Sequence, residues 1–250
     1  MERNVESDVI VLTSRKWGSL HRRVTMLSKE LGVFDAIVYG AQKGKLSGAC
    51  ESFTRGKAYL YYQSVRKEYS LKDMAIESSS EILRGDLVRL YSAHAMVEIV
   101  MKMHGGDYEK LFDLLESSLA FVDERSFDPT LVLIQFMWSV ISVTGFESDL
   151  HICPVCGHQY EESEIVSFNP SLHSICCSTC SPRLPEFSRL YLHPGMRRYF
   201  LFTSSLPAIE AVKVEVSEKA KRRILHYLID YIHNILGYSL KSLQDDSLII

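Results

Sequence analysis

The rhythm of apolar positions along the chain changes near residue 77. Before that point the apolar residues come in short, β-branched or alternating runs: DVIVLTSR (8–15), RVTMLSKELG (23–32), VFDAIVYG (33–40), KAYLYYQS (57–64) and KEYSLKDMAIE (67–77). Short runs of this kind, parted by Gly-containing joints, predict strands. Five strands in so short a stretch suggest a small antiparallel barrel, which fits an OB-fold, with an SH3-like barrel as the alternative.

After Glu77 the period lengthens to that of a helix. In SSSEILRGDLVRLYSAHAMVEIVMKMH the residues Leu87, Leu90, Tyr91, His94, Val97 and Met101 fall on one helical face, with Ser80 as a candidate cap and His104-Gly105-Gly106 as the break. His94, on that apolar face, reads as a satisfied core histidine. Asp107 is placed to cap a second helix carrying Leu111, Leu114, Leu115 and Leu119. Asp128-Pro129 joins a capping carboxylate to a proline at the first helical position, and the helix it starts runs to about Thr144, before Gly145. AKRRILHYLIDYIHNIL (220–236) is a further amphipathic helix closed by Gly237. His193-Pro194-Gly195 reads as a turn, and the tail after Leu240 is expected to fray. The pattern predicts an α+β chain: a barrel domain over 1–78, then a helical domain over 79–250 with an insert at about 150–182.

That insert holds the strongest chemical signal. Cys153-Pro154-Val155-Cys156 and Cys177-Ser178-Thr179-Cys180 are two CxxC pairs. Each can sit on a tight turn with both thiolates pointing inward, and two such turns face to face make the tetrahedral sulfur site that zinc prefers. Cys153, Cys156, Cys177 and Cys180 are therefore the expected ligands of a structural Zn2+. Cys176 is read as a bystander, and His151, His158 and His173 yield to the cysteines on spacing. Four protein thiolates leave no open coordination position, so the site is a fastener and not a catalyst. Cys50, alone in the first third, reads as a small buried side chain.

Charge is uneven. Residues 1–75 carry 13 Lys and Arg against 8 Asp and Glu, a surplus of five positive charges, whereas the whole chain is at −3. A basic first third joined to an acidic remainder points to a polyanionic partner. The cations Arg15, Lys16, Arg22, Arg23, Lys43, Lys45, Arg55, Lys57, Arg66 and Lys67 fall at strand ends and joints, and Tyr59, Tyr61, Tyr62 and Tyr69 interleave with them. Together with Trp17, a candidate stacking residue, these cations make a candidate DNA-binding surface, because barrels that bind single strands combine cationic grooves with aromatic platforms.

Other chemistry is missing. GAQKGKLSG (40–48) has too few residues between Gly40 and Gly44 for a phosphate loop, and Leu46 stands where Ser or Thr would hold magnesium. No GxSxG or HExxH occurs. No acid/base pair has an interpretable spacing, so a binding protein is expected and not an enzyme. The charged residues Glu2, Arg3, Glu6 and Asp8 do not suit a signal peptide, and no apolar run is long enough to span a bilayer, so the expected location is the cytoplasm with no membrane partner.

The order of these parts resembles the RecO family of bacterial recombination and repair proteins. The resemblance rests on VIVLTSRKWGSLHRRVTMLSKELGVFDAIVYGA (9–41), with its Trp17-Gly18 and Leu31-Gly32 turns and the Gly40-Ala41 strand end. It rests equally on VISVTGFESDLHICPVCG (140–157) and FNPSLHSICCSTC (168–180). Ser19 departs from the acidic residue usual in the family, and Gln42 and Gly44 dilute its basic run. The resemblance implies a nucleoid-associated mediator of the RecF pathway of DNA repair. Such a protein binds single- and double-stranded DNA, anneals complementary strands and, with RecR, helps load RecA onto DNA coated by single-strand-binding protein. It also implies that the barrel meets DNA and RecR and that the helical domain receives the C-terminal tail of single-strand-binding protein, for which Arg183, Arg189, Arg197 and Arg198 are candidate contacts. The competing expectation is a zinc-ribbon protein–protein adaptor that does not touch DNA.

Overall fold

The computed structural model describes residues 4–42, 44–103, 106–186, 188–237 and 239–243. The chain groups into two compact units that interleave along the sequence: 4–86 with 106–124, and 87–103 with 125–243.

The first unit is built on β1 (Asn4–Trp17), β2 (His21–Ser28), β3 (Gly32–Val38), β4 (Arg55–Gln63) and β5 (Glu68–Ser78). They form a closed barrel in the order β1-β2-β3-β5-β4, with β1 and β4 antiparallel at the closure and β3 and β5 parallel. This is the five-stranded OB-fold expected from the strand pattern. Alternate residues point inward, and Val9, Val24, Met26, Ala36, Val38, Ala58, Leu60 and Leu71 fill the barrel. Ala49 and Cys50, on a 3-10 turn (Gly48–Cys50), join the same core. Burial pushes the Cys50 thiol up to about 11, as befits an inert packing residue. A short helix α1 (Glu81–Arg84) follows the last strand. In chain order come α2 (Leu87–Lys102) and α3 (Tyr108–Val122), and α3 returns to the barrel. Its Tyr108 ring fills the space over Gly32, where an added Cβ would lie 2.7 Å from the ring; Gly32 has φ +65°, so glycine suits this turn twice over. Lys29 pairs with Asp113 at 2.6 Å, and Arg55 is held by Glu116 and Glu77.

The second unit packs α2, α4 (Pro129–Val143), α5 (Pro194–Ser204), α6 (Ala208–Ala211) and α7 (Glu218–Leu236) with a small sheet of β6 (Val166–Asn169), β7 (Ser174–Cys176) and β8 (Tyr191–Leu192) in the order β7-β6-β8. The expected caps of α3 and α4 form: Asp107 accepts from the N–H of Glu109 and Lys110, and Asp128 from those of Thr130 and Leu131. Helix α4 is buried on nearly every side. No helix among the described residues is long and apolar enough to cross a membrane.

Several expectations need correction. The segment after Glu77 is two helices and not one, because Gly85 and Asp86 interrupt it. Ser80 is not a cap: it sits in the left-handed region at φ 52°, and its hydroxyl donates to the Phe53 carbonyl. On α2, Val97 is buried as expected, but Leu87 and His94 are exposed, and Arg89, Ala93, Met96 and Val100 are buried in their place. His193-Pro194-Gly195 is the start of α5, with Pro194 in its first turn. The tail does not fray at once: Lys241–Leu243 forms a 3-10 turn whose backbone donates to Glu98, and Leu240 and Leu243 are buried. Residues 244–250 lie outside the described residues.

Candidate nucleic-acid interface and metal centre

On the barrel, cross-strand register arranges the outward-facing side chains in rows. Thr13, Thr25 and Asp35 form one row, Arg15, Arg23 and Ile37 the next. Trp17 faces His21 across the β1–β2 hairpin, and the His21 ring meets Tyr39 edge-on at 5.0 Å. Trp17 is 43% and Tyr39 49% exposed, so two large aromatic faces are open to solvent at this end of the barrel. The Arg23 guanidinium lies 5.1 Å over the Trp17 ring, which fixes the indole by a cation–π contact. The loop after β3 is tied to the hairpin: Gly40 N–H donates to His21 Nδ1 at 3.1 Å, and Gln42 N–H to the Leu20 carbonyl at 3.3 Å. The Gly40 bond keeps Nδ1 of His21 an acceptor, which leaves Nε2 to carry the ring proton.

The predicted cations divide by partner. Arg15, Lys16, Arg22, Lys57, Arg66 and Lys67 have no carboxylate within ion-pair distance among the described residues. Arg22 instead donates to Ser14 Oγ at 3.1 Å. Arg23 is paired with Asp35 at 2.9 Å, Lys45 with Asp73 at 3.7 Å, and Arg55 with both Glu77 and Glu116. Arg55 is thus a structural tie. Lys43 lies outside the described residues. Arg15, Lys16, Trp17, Arg22 and Arg23 come together on the β1–β2 hairpin, with Lys45 in the loop tied to it. Arg66 and Lys67 sit in the β4–β5 turn, which the parallel β3–β5 pairing carries toward the other end of the barrel. Lys57 lies on β4, opposite Asp8 of β1. The sequence reading missed Tyr39 and His21; the signal available was an aromatic directly before the Gly40 turn. Of the tyrosines it named, Tyr59 is exposed, while Tyr69 packs against Phe34 and the barrel core.

In the second unit the two CxxC pairs meet. The Sγ atoms of Cys153, Cys156, Cys177 and Cys180 all lie within 4.8 Å of one another, and those of Cys156 and Cys177 are 3.8 Å apart. With metal–sulfur bonds of about 2.3 Å, the edge of a regular tetrahedron of thiolates is about 3.8 Å. The four sulfurs therefore stand close to where a single tetrahedral ion would hold them, and among the described residues no histidine joins the cluster. The turns are knuckles: Cys153 N–H donates to the His158 carbonyl and Gly157 N–H to that of Cys153, with Gly157 at φ +70°. Burial opposes ionisation of Cys153, but the surrounding backbone N–H groups of Cys177, Val155 and Cys156 outweigh it and bring the thiol down to about 6. Cys176 is buried outside the cluster, and burial with the neighbouring thiols pushes it up to about 11.

Of the arginines considered for protein docking, Arg183, Arg189 and Arg198 are exposed. Arg197 is not available: it is 4% exposed and donates to the carbonyls of Glu161 and Glu164.

Comparison with known sequences covers both units. The family model described as Recombination protein O N terminal matches residues 1–79, and that described as Recombination protein O C terminal matches 84–244. A protein of Bacillus pumilus named DNA repair protein RecO is 26% identical over 245 residues, 95% of this chain and 91% of that protein. A Myxococcus xanthus protein of the same name is 30% identical over 191 residues, 74% of this chain and 76% of its own. The match to a Desulfitobacterium hafniense relative, also so named, is 28% identical over 70% of this chain and spans 63% of that relative's length.

Proposed function

The chain belongs to the recombination protein O family, and from that premise we propose that it is a DNA-binding recombination mediator in DNA repair, acting in the cytoplasm at the nucleoid and without catalysis of its own. In this reading it binds single- and double-stranded DNA through the barrel, anneals complementary strands, and works with RecR to load RecA onto DNA coated by single-strand-binding protein. The observation that carries the reading is the β1–β2–β3 face. Arg15, without a carboxylate partner, shares the outward register of the exposed Trp17 and Tyr39, and Lys16 and Arg22 alternate to the other side of the same hairpin, so phosphate-binding charge flanks a base-stacking surface. Lys45 extends it, and Lys43, outside the described residues, is assigned to DNA from the sequence alone. Arg66, Lys67 and Lys57 are assigned to the flanking path of a longer strand.

The four cysteines are assigned one structural Zn2+, which closes the insert and supplies no open coordination position. The functional domains are taken as 1–78 and 79–250, with the zinc-binding insert at about 150–182. The acidic, apolar tail of single-strand-binding protein is assigned to the helical domain, where Arg183, Arg189 and Arg198 are accessible cations. Titrating oligonucleotide binding against salt tests the DNA assignment. A steep fall of affinity with salt supports it, and a flat response with retained binding to RecR supports an adaptor that touches only protein.

A further inference from the structure

Arg197 is a buried cation with no carboxylate partner among the described residues. Its Nη1 donates to the Glu164 carbonyl at 3.3 Å and its Nη2 to that of Glu161. The guanidinium lies 5.5 Å over the ring of Tyr160, and Tyr160 packs on Cys153, Cys176 and Cys177. The Tyr160 hydroxyl donates to the Ile175 carbonyl at 2.8 Å, on the strand leading into Cys177, and its N–H donates to the His151 carbonyl at 2.8 Å, just before Cys153. Everything that satisfies Arg197 therefore belongs to the segment closed by the four cysteines, whereas Arg197 itself belongs to α5.

Helix α5 in turn is seated on α4. Phe200 stacks on Trp138 with centroids 4.2 Å apart, Trp138 Nε1 donates to Ser204 Oγ at 2.9 Å, and Gln135 donates to the Tyr199 hydroxyl at 2.7 Å. Trp138, Leu201 and Ser204 also line a cleft of about 570 Å³ together with the 147–151 segment that runs into Cys153. One wall of this cleft is thus fastened to the cysteine module through Arg197, and the other is continuous with it.

We propose that Arg197, with Tyr160 beneath it, couples metal loading of the four cysteines to the seating of α5 and the shape of the Trp138 cleft. This rests on the reading that the cysteines bind zinc. Small thiolate-closed segments lose their fold when the metal leaves. Without zinc the carbonyls of residues 161 and 164 withdraw, and a buried guanidinium left without acceptors must turn to water. That rotation loosens the α5 turn bearing Tyr199 and Phe200 and uncovers the Trp138 indole. The metal then governs a surface some residues away from itself, and Arg197 is a positioning residue, not a ligand.

The chain has two tryptophans, Trp17 and Trp138, so a Trp17→Phe protein reports Trp138 alone. In that background zinc is removed with a chelator while two signals are followed: released zinc with a metal dye, and Trp138 emission with acrylamide quenching. Zinc release should be accompanied by a red shift and increased quenching, both reversed on adding zinc. In Trp17→Phe/Arg197→Lys, which retains the charge but not the two-pronged bond, zinc should still bind at one per chain while the emission response to its removal is lost. Whether or not that variant folds, the parent's emission response to zinc removal decides the coupling, and Tyr160→Phe tests the tyrosine beneath the guanidinium separately. It keeps the ring and drops the Ile175 bond, and it should release zinc severalfold faster while its emission response persists. Zinc release with an unchanged Trp138 signal in the parent overturns the coupling and leaves the zinc reading standing. A protein that binds no zinc overturns both. An emission response in Arg197→Lys equal to the parent's removes Arg197 from the link, and zinc release from Tyr160→Phe at the parent's rate removes Tyr160.

Discussion

Removing the three unpaired hairpin cations together, as Arg15→Ala/Lys16→Ala/Arg22→Ala, separates phosphate contact from ordinary surface charge. None of the three has a carboxylate partner among the described residues, so the substitution breaks no ion pair. Among the described residues the side-chain bond lost is that from Arg22 to Ser14 on a partly exposed strand, worth about 1–2 kcal/mol. Thermal stability should therefore change little. If each cation meets one phosphate, single-strand binding loses about 0.7 of log–log salt slope per residue, or roughly 2 in all, and duplex binding slightly more. Because this term vanishes near 1 M salt, the variant should bind single strands about 100-fold more weakly than the parent at 0.1 M and nearly as well at 1 M. Arg55→Ala is the matched control. Its guanidinium is engaged by Glu77 and Glu116, so it should lower the melting temperature and leave the slope nearly unchanged. Fluorescence anisotropy of a labelled oligonucleotide at five or six salt concentrations measures both variants. A triple variant with the parent's slope would refute the assignment of this hairpin to phosphate.

Other outcomes follow from the same geometry. Trp17→Ala should weaken single-strand binding by about 1–3 kcal/mol with an unchanged salt slope and melting temperature, because the ring is exposed and held mainly by Arg23; a fall in melting temperature alone would make it a packing residue. Metal analysis should find one zinc per chain, lost in Cys180→Ser and kept in Cys176→Ser; loss in the latter would mean that the wrong neighbour was chosen as ligand. Burial opposes ionisation of Glu98, but hydrogen bonds from Lys102, Ser242 and the N–H of Lys241 outweigh it and hold the carboxyl at about 2. A folded value below the ordinary 4.5 means that its stabilisation, on the order of 2 kcal/mol once solvent screening of this partly exposed carboxylate is discounted, is complete above about pH 4.5 and is lost as the pH falls toward 2. Glu98→Gln should remove that part of the acid dependence in denaturant melts taken between pH 3 and 7.

The barrel was legible because its strands bury one face and expose the other, so the period of two survives in the residues themselves. Helix α2 was harder to register: buried on most sides, it carries little periodic contrast, and of the face chosen Val97 is buried and Leu90, Tyr91 and Met101 are half-buried, but Leu87 and His94 are exposed. Helix α5 was missed although Pro194 gives the same start signal as Pro129; His193 is a weak cap, and Gly195 behind it reads as a turn. The 3-10 turn at Lys241–Leu243 depends on Glu98, which is more than 140 residues away in sequence, and no local pattern reveals such an anchor. The cysteine site lay almost wholly in its spacing. The basic surface was legible only as a list of charges. Which of them are neutralised depends on carboxylates brought in by folding, such as Glu116 of α3 against Arg55, and Tyr39 becomes part of the face only through strand register.

The proposal that this chain mediates recombination is tested most directly by annealing. Complementary single strands, each saturated with single-strand-binding protein, are mixed with and without the purified zinc-loaded chain, and duplex formation is followed by energy transfer between end labels. The parent should accelerate annealing clearly, and Arg15→Ala/Lys16→Ala/Arg22→Ala little or not at all at 0.1 M salt. Annealing by the parent no faster than the spontaneous rate would contradict it.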